Sequence, residues 1–144
     1  MYQLNERVSA LFNKTKNCTL STNGEYPNTI VIMFKEINAQ GEILLCDVFM
    51  NKTLANLEKD AHVSVVVYEG LEGYQIKGTA EYAAEGAVVD TFKAMVEKMF
   101  NGAATAKGAS VVPILQSICG WAGIFYREDN EKTMTQCQRC DHHN

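Results

Sequence analysis

The sequence predicts an α+β domain, mainly β, and three observations carry that reading. Runs rich in β-branched and aromatic residues recur along the chain, each closed by turn chemistry such as Asn23-Gly24, Asn38 to Gly41 or Gly70 to Gly73. The three- and four-residue spacing of an amphipathic helix occurs in only a few short segments. A length of 144 residues, 47% hydrophobic and 21% charged, allows one domain with its own core and excludes disorder and coiled coil. Roughly five or six short, mostly antiparallel strands with small helices at the joints point to a small barrel.

Leu4, Val8, Leu11 and Phe12 share a helical face opposite Asn5, Glu6, Asn13 and Lys14, which predicts a first short helix. Cys18 to Thr22 reads as a strand, and Asn23-Gly24 as its hairpin turn because both positions tolerate positive φ. Pro27 precedes the run Asn28 to Ile37. Its residues Ile30 to Phe34 do not alternate, so this strand is expected to be covered on both faces. Glu42 to Val48 is a third strand, and the first third of the chain reads as an antiparallel meander. Leu54 and Leu57 place a short helix that begins near Asn51 or Lys52. His62 to Tyr68 is a β-branched strand. Tyr74 to Tyr82 alternates most clearly, with Tyr74, Ile76, Gly78, Ala80 and Tyr82 on one face. Val88 to Phe100 repeats at three and four and predicts a longer helix. Asn101 to Ser110, rich in Gly and Ala, is expected as a loop, and Val111 to Tyr126 as at least one further strand. The domain is expected to end near residue 128, with a polar tail over 129–144.

A net charge of −4 without any run of Lys or Arg lacks the footprint of a nucleic-acid binder. No apolar stretch approaches the roughly 20 residues that a bilayer needs, and MYQLNERVSALF lacks the unbroken apolar core of a signal peptide. A cytoplasmic protein without membrane or nucleic-acid partners is expected. The five cysteines are Cys18, Cys46, Cys119, Cys137 and Cys140; the first three sit in apolar runs, as reduced thiols acting as small hydrophobes do.

The tail carries Cys137-x-x-Cys140-x-His142-His143, a spacing that could hold zinc or run redox chemistry. A structural zinc site needs four ligands in two separated pairs, and adjacent histidines do not easily share one ion, so no metal is assigned. Met134 is the only large apolar side chain after Arg127, too little to offset the entropy of ordering. Deleting residues 131–144 is therefore expected to leave the melting temperature and cofactor occupancy unchanged, with or without a chelator. A drop of several degrees would make the tail structural.

Met50-Asn51-Lys52-Thr53 leads from a strand into a helix. Unpaired N–H groups at the helix start, with the ammonium of Lys52 and the hydroxyl of Thr53, are the parts that hold a phosphate. The alternative is that Asn51 or Thr53 caps the helix while Lys52 is merely solvated.

In their order and spacing, CTLSTNGEYPNTIVIMF, ILLCDVFMNKTLANLEKDAHVSVVVY and GYQIKGTAEY resemble the FMN-binding split-barrel family of pyridoxamine 5′-phosphate oxidase-related proteins. That resemblance implies a six-stranded antiparallel split β-barrel with flanking short helices. It also implies a homodimer with FMN in grooves at the subunit interface. Lys52 and Thr53, preceded by Asn51, correspond to the phosphate ligands. Thr29, Ile30, Val31 and Ile32 correspond to the strand along the isoalloxazine, and Cys46, Asp47 and Val48 to the neighbouring strand end. An FMN-dependent oxidoreductase or flavin-mediated electron carrier follows, with the small-molecule or protein redox partner unspecified. A deazaflavin in the same fold, or a flavin- or haem-binding sensor or storage module, are the alternatives. Reduction of the bound flavin by nicotinamide nucleotides, then an acceptor screen, separates enzyme from sensor.

The chain departs from that family in two places. Asn51 stands where the oxidases carry an Arg before the phosphate-binding Lys, and their Trp- and Arg-containing end is replaced by TMTQCQRCDHHN. Arg7, Arg127 and Arg139 are its only arginines, so a pocket for a second phosphate is hard to assemble and authentic pyridoxamine-phosphate oxidation is not expected.

Overall fold

A computed structural model of the chain describes Leu4 and residues 6–119, with residues 114–119 described by their backbone. Three helices, α1 (Glu6–Lys14), α2 (Asn51–Lys59) and α3 (Ala87–Phe100), punctuate nine strands. The strands are β1 (Cys18–Thr22), β2 (Asn28–Ile32), β3 (Lys35–Ile37), β4 (Ile43–Asp47), β5 (His62–Glu69), β6 (Glu72–Thr79), β7 (Glu81–Ala83), β8 (Gly108–Val112) and β9 (Ile114–Cys119). They form two antiparallel sheets, ordered β2-β1-β5-β6-β9 and β3-β4-β8-β7. Among the described residues these ladders do not close into one ring, and nine strands stand where six were expected.

The difference arises where the chain changes sheets. The single strand expected over Asn28 to Ile37 is two, because Met33-Phe34 carries the chain from one sheet to the other. Ile32 is buried with Leu20 and Val65 in the core between the sheets, whereas Phe34 packs on a second cluster under α3 with Val89, Phe92 and Val96. Nor is this run covered on both faces: Val31 is 67% exposed and Met33 48%. Tyr74 to Tyr82 likewise breaks at Ala80, whose N–H bonds to the Ala61 carbonyl at 2.8 Å, so that β6 and β7 lie in different sheets. The predicted inward face survives the break, since Tyr74, Ile76 and Ala80 are all buried.

The Gly- and Ala-rich segment expected as a loop is one only as far as Lys107. Gly108, Ala109 and Ser110 begin β8, a buried strand between β4 and β7. Their smallness is a packing requirement: a Cβ on Gly108 would lie 2.3 Å from the Tyr82 hydroxyl. The helices were legible because each buries its apolar stripe, Val8, Leu11 and Phe12 in α1 and Val89, Phe92 and Val96 in α3. The end of α1 is tied down by Lys35, whose ammonium donates to the Phe12 carbonyl and lies 4.2 Å from the Phe12 ring centroid. The expected domain limit at 128 and the Cys137–His143 tail lie outside the described residues.

Gly78, the glycine of the I-K-G run, sits at a register shift between β6 and β9. A Cβ there would meet the Pro113 carbonyl oxygen at 2.4 Å and a Val112 methyl at 2.7 Å. The neighbour at 2.4 Å is backbone and cannot rotate away. Gly78→Ala is expected to destabilise the fold by about 1–3 kcal/mol in urea denaturation; an unchanged midpoint would show that the backbone yields freely here.

Candidate functional site

Two features of the fold meet beside β2. The first is a groove of about 300 Å³ along that strand and the end of β4, lined by Ile30, Val31, Ile32, Met33, Phe34, Cys46, Val48, Phe49, Met50 and Phe100. Among the described residues, strand β2 is the outermost of its sheet, with β1 as its ladder partner, so alternate backbone N–H and C=O groups along its outer edge are free of the ladder. An apolar wall with a polar backbone edge suits a flat ring that is hydrophobic on its faces and hydrogen-bonding at its rim.

The second feature is the start of α2, which follows directly from the groove residue Met50. Met50 occupies the N-cap and offers no side-chain cap; the Asn51 N–H bonds to the Phe49 carbonyl at 3.0 Å, so an outside acceptor would meet the N–H groups that follow it in the first turn. Asn51 and Lys52 face solvent there. A second cation arrives from the segment before β8: the Lys107 ammonium donates to Asn51 Oδ1 at 3.2 Å and lies 3.8 Å from Asp47 Oδ1. Its backbone N–H bonds to the Asp47 carbonyl at 2.7 Å. Lys107 was not legible in the sequence, because nothing local ties a lysine in a Gly- and Ala-rich segment to a helix start more than fifty residues earlier.

The other predicted residues divide by which way they point. Ile30, Val31, Ile32, Cys46 and Val48 line the groove together. Thr29 does not; it is exposed and its hydroxyl shares a 2.9 Å hydrogen bond with that of Ser21. Thr53 is turned inward, 1% exposed, its hydroxyl accepting from Asn28 Nδ2 at 2.9 Å. Asn28 and Asn56 both also donate to Thr22, so Thr53 belongs to a polar seam that fixes α2 against the start of β2. Cys46 is protonated at neutral pH, since burial, and after it the adjacent Asp47, push its thiol up to about 11.

Asp47 is fully buried, and both carboxylate oxygens are engaged. Oδ1 accepts the Met50 N–H at 2.7 Å and Oδ2 the Tyr82 hydroxyl at 2.7 Å. It shapes the turn that presents Met50, Asn51 and Lys52, and its side chain does not reach the groove. Tyr82 is the partner that sequence reading missed. Burial first, then the hydrogen bond to Asp47, push its phenol up to about 12.

Fold and site together define a two-sheet domain with an edge-strand groove, apolar along its length and cationic at one end. The comparisons identify its kin. Residues 4–117 match pyridoxamine 5′-phosphate oxidase as a family. An uncharacterized protein of Methanocaldococcus jannaschii is 32% identical over 114 residues, covering 77% of this chain and 76% of its own. Among solved structures, an FMN-binding protein of Syntrophomonas wolfei subsp. wolfei superposes with a TM-score of 0.72 at 20% identity, over 82% of this chain and 86% of that one. HupZ of Group A Streptococcus does so with a TM-score of 0.70 at 17% identity, over 84% and 97%. The chain belongs to the FMN-binding split-barrel family of pyridoxamine 5′-phosphate oxidase-related proteins. Among its described residues, no helix is long and apolar enough to cross a membrane, and no three His, Cys, Asp or Glu side chains gather as a metal site.

Proposed function

We propose that the protein binds FMN in the β2 groove, as a homodimer, and acts as an FMN-dependent oxidoreductase or flavin-mediated electron carrier. The observation that carries this reading is the convergence of Ile30, Val31, Ile32, Cys46 and Val48, from two different sheets, on one groove that runs into the uncapped start of α2. The side chains of β2 and of the β4 end would hold the isoalloxazine, and the free backbone edge of β2 its polar rim. Lys52 and the first-turn N–H groups of α2 that follow Asn51 would hold the phosphate, with Lys107 alongside. Thr53 would act from behind, through Asn28 and the set of the helix. When bound, FMN supplies one- and two-electron redox chemistry, which needs no conventional acid–base group from the chain.

The test is the absorption spectrum of the purified protein and an FMN titration of the apoprotein, expected to saturate at about one per chain. A chain that takes up no FMN would overturn the reading. The dimer is supported by Val31, Met33 and Phe49, large side chains at the groove mouth that are 67%, 48% and 78% exposed. Sedimentation of the FMN-loaded protein is expected to give twice the chain mass of 16.0 kDa. A fully loaded species of one chain mass would reject it.

A further inference from the structure

We propose that Asn23-Gly24 is a self-modifying site: the chain deamidates there without an enzyme, and the carboxylate so formed loosens the β1–β2 loop from the end of α2. Both halves follow from how residues 23–27 are held.

The loop lies outside the ladder, which closes at Thr22–Asn28, and Asn23 and Gly24 are both exposed. Deamidation needs the backbone nitrogen of the following residue to reach the Asn side-chain carbonyl carbon. A Cβ on that residue hinders the approach, and a hydrogen bond from its N–H slows it. Gly24 has no Cβ, and its N–H makes none of the backbone hydrogen bonds of the turns and loops. The Gly24 nitrogen forms a bond to Asn23 Cγ, the Cγ–Nδ2 bond breaks, and ammonia leaves with the proton given up by the Gly24 N–H. Water then opens the cyclic imide at either carbonyl. One opening leaves aspartate, the other isoaspartate, whose side-chain carbon has entered the main chain. No electrons are exchanged.

The opposing restraint is weak. Asn23 Nδ2 donates to Asp60 Oδ2 at 3.0 Å between exposed side chains, and one such bond slows the reaction by no more than about tenfold. The other Asn-Gly pair is held by its backbone. Asn101 is the left-handed C-cap of α3, with φ 52°, and its N–H bonds to the Glu97 carbonyl at 2.7 Å. It is expected to convert more slowly.

The product meets a carboxylate. Asp60 is the C-cap of α2, where a negative charge already opposes the helix dipole. Its Oδ1 accepts the His62 N–H at 3.0 Å and faces His62 Nδ1 at 2.7 Å, so Oδ2 depends on Asn23. The His62 N–H first, and the Asn23 amide next, hold the Asp60 carboxyl at about 2, ionised throughout the neutral range. Turning the amide into a carboxylate replaces a donor by a second anion. The loop has little room to adjust: a Cβ on Gly24 would lie 2.6 Å from Asn56 Oδ1, and Asn56 is fixed to Thr22 at 3.1 Å. Repulsion at Asn23, or a main chain lengthened by isoaspartate, therefore costs the loop its packing on α2.

The full chain is incubated in mildly alkaline buffer, native and in urea, and followed by peptide mapping. Aspartate and isoaspartate are expected to accumulate at position 23, ahead of position 101, and within about tenfold of the rate in the unfolded chain. Asn23→Gln, whose longer side chain must close a larger ring, is expected to abolish the signal. A native chain that keeps Asn23 intact while the unfolded chain converts, or that converts Asn101 first, would overturn the proposal. The consequence is read in urea denaturation of Asn23→Asp and Asn23→Ala, both exposed substitutions. The Asp variant is expected to have the lower midpoint, with the gap closing at high salt as the two carboxylates are screened. An Asp variant as stable as the Ala variant would overturn the second half.

Discussion

Replacing Lys52 with Ala is expected to weaken FMN binding by about 1.5–3 kcal/mol, roughly ten- to a hundred-and-fifty-fold, because it removes one charge-assisted contact to the phosphate. Lys52 is solvent-facing at the start of an uncapped helix, so the loss should appear in affinity with the fold intact. Riboflavin, which lacks the phosphate, should bind more weakly than FMN and be indifferent to the substitution. That contrast separates a phosphate ligand from a residue that merely shapes the groove. Lys107→Ala should act in the same direction, and the double variant reveals whether the two ammonium groups share one anion. An FMN titration unchanged in Lys52→Ala would sink the assignment.

The second large effect is expected at Asp47, in stability. Asp47→Ala strands the Met50 N–H and the Tyr82 hydroxyl, both held by the buried carboxylate at 2.7 Å, and leaves Lys107 without the anion 3.8 Å away. Each buried donor without an acceptor costs about 1–3 kcal/mol, so a loss of about 2–5 kcal/mol is expected in urea denaturation. FMN affinity should fall with it, because the turn before α2 loses its anchor. A variant as stable as the native chain would refute the bridging role.

Tyr82→Phe provides the pH arm. The Tyr82 phenol is held at about 12 against an ordinary value of 10.0, so the folded state binds its proton more tightly than the unfolded state. Its contribution is complete below pH 10 and is lost as pH rises from 10 to 12. Other groups titrate in that range, so the native-minus-variant difference is the measurement. Stability curves that fall in parallel between those limits would exclude the Asp47–Tyr82 bond.

What the sequence determined by itself was local. The apolar stripes of α1 and α3 and the inward face Tyr74-Ile76-Ala80 are written in spacing, because a helix or strand imposes its own period on what it buries. The Asn23-Gly24 pair does not form the expected positive-φ turn, since the β1–β2 ladder closes at Thr22–Asn28 across residues 23–27 and neither residue has positive φ. Order and spacing of three motifs also pointed to the family; that Ile30, Val31, Ile32, Cys46 and Val48 line one groove is a matter of tertiary packing. The tertiary structure decided what depends on partners distant in sequence. It split the Asn28–Ile37 run at Met33-Phe34, since only packing tells which of two cores an apolar side chain enters. It turned Gly108 to Ser110 from loop to central strand, because smallness reads as looseness until Tyr82 and two flanking strands press against it. It faced Thr53 and Asp47 inward while leaving Asn51 and Lys52 in solvent, a choice made by hydrogen bonds to Asn28 and Tyr82 from remote strands. It also brought Lys107 to Asn51 across a separation of 56 residues. Such contacts leave no mark on local periodicity; only the register of the two sheets puts them there.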